Sequence, residues 1–320
     1  MLANVESTPF VSAERPLSPR AIAMVLVLCV SWGFNQVAVK LALPDIPPLW
    51  QGTFRSLSAL PILLLIAHVR GVKLLTRDGT LRAGLWLGVI FGIEFVMIYR
   101  GLSLTSASRA VVFLYTAPFF VALGSYQFLG ERLRAAQWAG LALSFAGVAL
   151  AIGVPQAGVD ANVIWGDMLS VGGGAGWAAT TLIVKATRLR HAPSEKAVIY
   201  QVTISIPILA LAAFVTGETL NHVPGPLALS LMAYQAFWVV GLTFLLWFVL
   251  IKAYSASKLS AFTFITPLFG VLASYFILHD TLTPVFGVAA LLVIAGLFLV
   301  NRPGSAVPVS TDPLLTLTET

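Results

Sequence analysis

Glu94 lies deep in the apolar run FGIEFVMIY. A carboxylate in such surroundings is costly and usually faces protein or water. It could titrate a proton or bind the amine of a solute. It could equally be a structural carboxylate, paired with Arg55 or held neutral by hydrogen bonds. Arg55, in the run FRSLSALP, presents a planar fork that suits a carboxylate, although a tie between two helices is the plainer account of it. A second set is aromatic: Trp32, Tyr99, Tyr115, Trp177, Trp238, Phe262, Phe113 and Trp247 all fall within apolar runs. Their rings could wall a cavity, and a ring face also attracts an ammonium group. The alternative for such rings is lipid-facing bulk, which suits Trp86 and Trp138 near the ends of their runs. Trp32 stands beside Ser31, Gly33 and Asn35, and Trp177 beside Gly176, Thr180 and Thr181. Asn35 and Thr181 are candidate contacts for a carboxylate or an amine, with inter-helix hydrogen bonds as the alternative. The candidate substrate-binding set is therefore Trp32, Asn35, Glu94, Tyr99, Tyr115, Trp177, Thr181, Trp238 and Phe262.

Other chemistry finds little support. No Cys/His cluster has metal spacing, and neither a nucleotide-binding loop nor a hydrolase motif occurs, so no metal or cofactor is expected. An intramembrane enzyme would need paired acids or a nucleophile with a base, and the sequence has one mid-span acid with no nearby histidine. The single cysteine, Cys29, lies in an apolar run and reads as a small buried hydrophobe.

The elements that must position these residues follow from composition. Apolar residues make up 58% of the chain, charged residues 10%, and mean hydropathy is +0.91. A soluble domain has about 25% charged residues, so most of this surface faces lipid. The predicted fold is all-α. Ten spans of membrane-crossing length are expected near 20–41, 48–68, 82–101, 107–129, 135–153, 164–187, 195–216, 227–253, 258–278 and 284–301. Residues 1–19 form a polar leading segment without the pattern of a cleavable signal, and 303–320 a solvated tail.

The chain is also written twice. Trp32 and Lys40 recur as Trp177 and Lys185 at an offset of 145. Trp86, Phe95 and Arg100 recur as Trp238, Trp247 and Lys252 at 152, and Ser106, Pro118 and Gly147 as Ser255, Pro267 and Gly296 at 149. The repeats span 20–153 and 154–302. Lys and Arg crowd one set of connections, which places both termini in the cytoplasm. The net charge of +6 thus serves orientation rather than nucleic acid. Five spans per repeat turn the second copy over, and inverted repeats of this kind allow alternating access around a midplane site. Paired prolines, Pro61/Pro207 and Pro118/Pro267, predict helix kinks in both halves. Small residues in spans five and ten, Gly140, Ser144, Gly287 and Gly296, serve packing or a homodimer.

This pattern, with WGFNQVAVK in span one, Arg55 in FRSLSALP, and the run from Ala107 to Pro118 followed by Gly130-Glu131-Arg132, resembles the drug/metabolite transporter superfamily in its EamA-type branch. The resemblance covers about residues 20–302 and is nearest to the YddG-like exporters of aromatic and other amino acids. It implies an exporter of amino acids or similar small metabolites in a bacterial inner membrane, and a broad drug exporter as the alternative. This chain departs from two-fold likeness at Gln201, opposite Arg55, and at His279-Asp280, opposite Gly130-Glu131.

Overall fold

Inside a bilayer every backbone N–H and C=O must be satisfied within the protein, and long apolar runs meet that demand as helices. A computed structural model describes residues 17–105, 107–152, 160–279 and 284–302, and all the regular structure among them is helical. The helices are α1 (Pro19–Ala42), α2 (Pro48–Val69), α3 (Leu81–Leu104), α4 (Ala107–Leu114), α5 (Ala117–Leu129), α6 (Ala135–Ile152), α7 (Ala161–Ala186), α8 (Ser194–Val215), α9 (Pro226–Ala233), α10 (Phe244–Ala253), α11 (Ala256–Phe262), α12 (Thr266–Leu278) and α13 (Pro284–Asn301). A π-helical stretch, Tyr234–Thr243, joins α9 to α10, and a 3-10 turn, Thr263–Ile265, joins α11 to α12.

Eight segments are long and apolar enough to cross a membrane: α1, α2, α3, Ala110–Leu129, α8, Pro226–Ala253, Ala256–Ile277 and α13. Helix α6 adds a shorter apolar helix over Ala135–Leu150. Helix α7 has 26 residues, yet Asp167, Lys185 and the run Gly172-Gly173-Gly174 keep it out of that set. Its place in the bundle explains the composition. It packs on α3 and α5, and no residue between 169 and 185 is exposed, so it has little lipid-facing surface to make apolar. Elsewhere large apolar side chains such as Leu65, Phe214, Phe276 and Phe298 point outward.

The packing repeats. Helix α6 lies on α13 so closely that a Cβ on Gly147 would meet the Ala289 carbonyl at 2.8 Å and Val293 at 2.9 Å. One on Gly296 would meet the Gly140 carbonyl at 2.5 Å and Ser144 at 2.2 Å. The two sets of contacts are related by the same offset of 149 that relates the sequences. Gly140, Ser144 and Gly296 are thus taken up by packing within the chain, while Gly287 meets nothing within 4 Å. Ser18 at the start of α1 bonds to the Tyr254 hydroxyl at 3.1 Å, and Gln137 at the start of α6 donates to the Val300 carbonyl at the end of α13. The first and last helices therefore begin and finish at the same end of the bundle.

The prolines divide into two kinds. Pro118 has no N–H, and its ring would strike the carbonyl of Leu114 in a continuous helix. The helix stops at Leu114 and restarts at Ala117. Pro267 follows the 3-10 turn in the matching span. Pro61 and Pro207, by contrast, sit inside the unbroken helices α2 and α8.

Candidate solute site

A cavity of about 140 Å³ opens among α1, α2, α3, α7, α8 and the π-helix–α10 segment. Its walls run along α1 from Trp32 to Val39 and along α3 from Phe91 to Leu102. It thus extends from the middle of the bundle toward the end where α1 and α3 finish.

Three indoles meet in its middle. The ring centroids of Trp32 and Trp177 lie 6.0 Å apart, nearly perpendicular, and Trp247 lies 5.5 Å from Trp32 and 5.9 Å from Trp177. Trp32 meets both of the others edge-on, which suits the quadrupole of aromatic rings, and Trp177 and Trp247 are tilted by 39°. Trp32 thus touches Trp177, its counterpart in the sequence repeat. The Trp32 indole N–H donates to Thr243 Oγ at 2.9 Å, which fixes the ring. Tyr115 touches Trp177 from the break in span four, at 6.3 Å.

The polar groups cluster on the α2–α3 side. Arg55 is 1% exposed, and its guanidinium carbon lies 4.2 Å from the Phe95 ring centroid. Its Nε and Nη2 have no hydrogen-bond partner among the described residues. Glu94 is 4% exposed, and its Oε2 is likewise unpartnered among the described residues. No ion pair within 4 Å joins the two among the described residues. Glu94 owes its place to Gly176, where a Cβ would meet Glu94 Cβ at 2.9 Å. Only a glycine on α7 lets α3 come so near.

Of the candidate residues, Trp32, Asn35, Glu94, Tyr99, Tyr115 and Trp177 line this one cavity. Trp238, Thr181 and Phe262 do not. Trp238 is 42% exposed on the lipid side with its N–H on Ser31 Oγ, and its counterpart Trp86 is 58% exposed. Thr181 is fully buried one position beyond the lining residue Thr180. Phe262 packs in the apolar core, and its carbonyl accepts from the Cys29 thiol at 3.4 Å. Among further lining residues are Gln36, Phe91, Phe95, Gln201, Phe244 and Trp247. Arg55 lines the cavity and reaches from α2 to the Phe95 ring on α3, with its Nε and Nη2 open among the described residues.

The two ends of the bundle are held differently. At the end that carries both the first and last helix termini, the carboxylate of Glu131, just past α5, gathers five groups. Lys185 Nζ donates at 2.8 Å, Ser255 Oγ at 2.8 Å and Ser257 Oγ at 2.9 Å, with the backbone N–H groups of Ala256 and Ser257. Lys185 also donates to the Tyr254 carbonyl. Burial pushes the Glu131 carboxyl up, but Lys185 and the surrounding donors outweigh it and hold it below the usual carboxylate range. The same end carries the Lys196–Asp78 pair at 2.7 Å and the Arg70–Glu195 pair. At the other end Glu218 accepts from the N–H groups of Leu49 and Trp50 at the start of α2, an N-terminal cap supplied from the end of α8. Burial raises the Glu218 carboxyl despite those bonds and the nearby Arg100.

A bundle of apolar helices, built on a repeat around an internal cavity with buried charges, defines a multi-pass membrane carrier. The chain belongs to the EamA-like transporter family, whose model matches it twice, over residues 19–153 and 164–302. It is a membrane transporter of that family. It is 29% identical to the uncharacterized transporter YvbV of Bacillus subtilis over 90% of this chain and 93% of that protein. It is 30% identical to a protein named probable amino-acid metabolite efflux pump of Salmonella typhimurium, over 86% and 93%, and 27% identical to one of the same name in Escherichia coli, also over 86% and 93%. A crystal structure superposes with a TM-score of 0.73 at 18% identity, covering 87% of this chain and 94% of that one, a likeness of fold.

Proposed function

We propose that this protein exports amino acids, aromatic ones among them, or similar small metabolites across a bacterial inner membrane. All ten helical segments cross the bilayer, both termini are cytoplasmic, and the second five segments are inverted relative to the first. The observation that carries the reading is the central cavity. Indoles from both repeats wall it, and its lining residues carry buried polar atoms with no hydrogen-bond partner among the described residues. A solute of amino-acid size with an apolar side chain suits that lining. The names of the relatives from Salmonella and Escherichia coli support the same solute class.

The Glu131 network closes the cytoplasmic end, and the cavity reaches toward the other side. Both features support reading this arrangement as the outward-facing one of an alternating-access cycle. Return to the inward-facing arrangement requires Glu131 to release Lys185 and the α10–α11 connection. Such rocking of one repeat against the other needs discrete, bistable contacts, and a single carboxylate holding five donors from two segments is one.

The aromatic walls also suit a broad drug or metabolite efflux carrier. Growth tests separate the two. Cells that overproduce the protein are expected to tolerate toxic amino-acid analogues and to excrete amino acids, with no change in tolerance of cationic dyes. Protection against dyes without amino-acid excretion would favour the drug carrier.

A further inference from the structure

Eleven buried side-chain nitrogen and oxygen atoms lack a hydrogen-bond partner among the described residues, and seven of them belong to the cavity walls. They are Asn35 Oδ1, Arg55 Nε and Nη2, Glu94 Oε2, Tyr99 Oη, Gln201 Oε1 and Trp247 Nε1. Buried polar groups are normally satisfied, and each one left unmade costs free energy. A set gathered on one cavity is the imprint of what the cavity takes up.

The set has two signs. Arg55 and Trp247 offer only donors. The unpartnered atoms of Glu94, Gln201 and Asn35 are oxygens that can accept, and the Tyr99 hydroxyl serves either way. Arg55 and Glu94 line the same wall without forming an ion pair, although pairing would be the cheapest way to bury both. Gln201, the repeat counterpart of Arg55, is 2% exposed and leaves its acceptor oxygen open. Neither a simple anion nor a simple cation satisfies such a lining. A solute that carries a carboxylate and an ammonium a few bonds apart does.

We infer that Arg55 and Glu94 are the two poles of a head-group site. The Arg55 fork holds the α-carboxylate of an amino acid. Glu94, with the side-chain oxygens of Gln201 and Asn35, holds its α-ammonium, and the side chain lies toward Trp32, Trp177 and Trp247. Selectivity then requires both head groups together, because removal of either leaves a buried charge unmet. The inference rests on the amino-acid reading above and adds to it which group meets which residue.

Binding to the full-length purified protein tests it, read by the fluorescence of the cavity tryptophans. The probes are phenylalanine, 3-phenylpropionate, which lacks the ammonium, and 2-phenylethylamine, which lacks the carboxylate. Wild type is expected to bind phenylalanine at least about 100-fold more tightly than either analogue. Arg55→Gln should abolish the preference for phenylalanine over 2-phenylethylamine and keep much of that over 3-phenylpropionate. Glu94→Gln should do the reverse. Arg55→Lys, which keeps the charge and loses the fork, should recover part of the first preference, and thermal melting reports whether each variant is folded. Equal binding of phenylalanine and 2-phenylethylamine by wild type, or equal loss of both preferences in each folded variant, would overturn the pole assignment alone. Failure of wild type to bind phenylalanine or any other amino acid would overturn the amino-acid reading with it.

Discussion

The two repeats share a frame and differ in what they place in the cavity. Contacts between α6 and α13 map onto themselves under the repeat offset, and Trp32 meets its own counterpart Trp177. Arg55, however, faces Gln201 across the repeat, and Glu94 corresponds to Leu246. Span three is a regular helix, while span eight contains the π-helical stretch Tyr234–Thr243. Symmetric positions make the frame, and under the proposed mechanism that frame adopts two related arrangements. Asymmetric ones give the cavity its polarity, and the head-group site proposed above depends on them, because two different ends cannot be matched by two identical halves.

The largest effect is expected where the halves differ most. Arg55→Gln, which makes the first repeat resemble the second, should lower transport at least about 100-fold in a folded protein. Gln201→Ala should lower it about 10-fold, because a neutral acceptor is worth less than a charged fork. Equal losses at the two positions would break the comparison.

The Glu131 network comes next. Glu131→Ala removes the partner of Lys185 and leaves several donors unmet, at a cost of about 3 kcal/mol, measurable as a lower melting temperature. The pH dependence follows from the folded carboxyl lying below its unfolded value. Its stabilisation is complete above the unfolded pKa of about 4.3, and it is lost as pH falls through the lower folded value. Glu131→Gln should remove that component of acid destabilisation. An unchanged acid profile would show that the network does not hold this end.

Frame positions should respond alike in both halves. Gly147→Val and Gly296→Val each force a side chain into the α6–α13 contact, at a cost of about 1–3 kcal/mol. Matching losses in melting temperature are expected, and a loss confined to one of them would argue against a common frame. The smallest effects belong to the outward indoles. Trp86→Leu and Trp238→Leu should leave transport nearly unchanged, whereas Trp32→Leu and Trp177→Leu should each lower it several-fold.

Much of this was legible in the sequence. Apolar run lengths predict the helices to within a few residues, the repeat singles out Trp32 and Trp177, and its depth in an apolar run singles out Glu94. What the sequence could not show is which face of each helix turns inward. Span eight is apolar on every side, so no stripe marks its inner face. Trp238 and Trp247 are nine residues apart, which puts them on opposite faces of a regular helix, and only packing decides that Trp247 faces the cavity. Thr180 and Thr181 differ in the same way by a single step. The break at Tyr115 and Thr116 was signalled by Pro118, but Pro207 in unbroken α8 shows that proline alone does not decide it. The role of Arg55 was hidden for a different reason, since a tie and a solute contact demand the same residue at the same depth. Its unpartnered nitrogens favour the solute contact proposed above.

Counterflow in liposomes tests the central claim most directly. Purified protein is reconstituted with unlabelled phenylalanine inside, and entry of labelled phenylalanine is followed for wild type, Arg55→Gln and Trp238→Leu. The account predicts rapid exchange by wild type and Trp238→Leu and at least about a 100-fold slower rate for Arg55→Gln. Exchange of no amino acid by wild type, or undiminished exchange by Arg55→Gln, would contradict it.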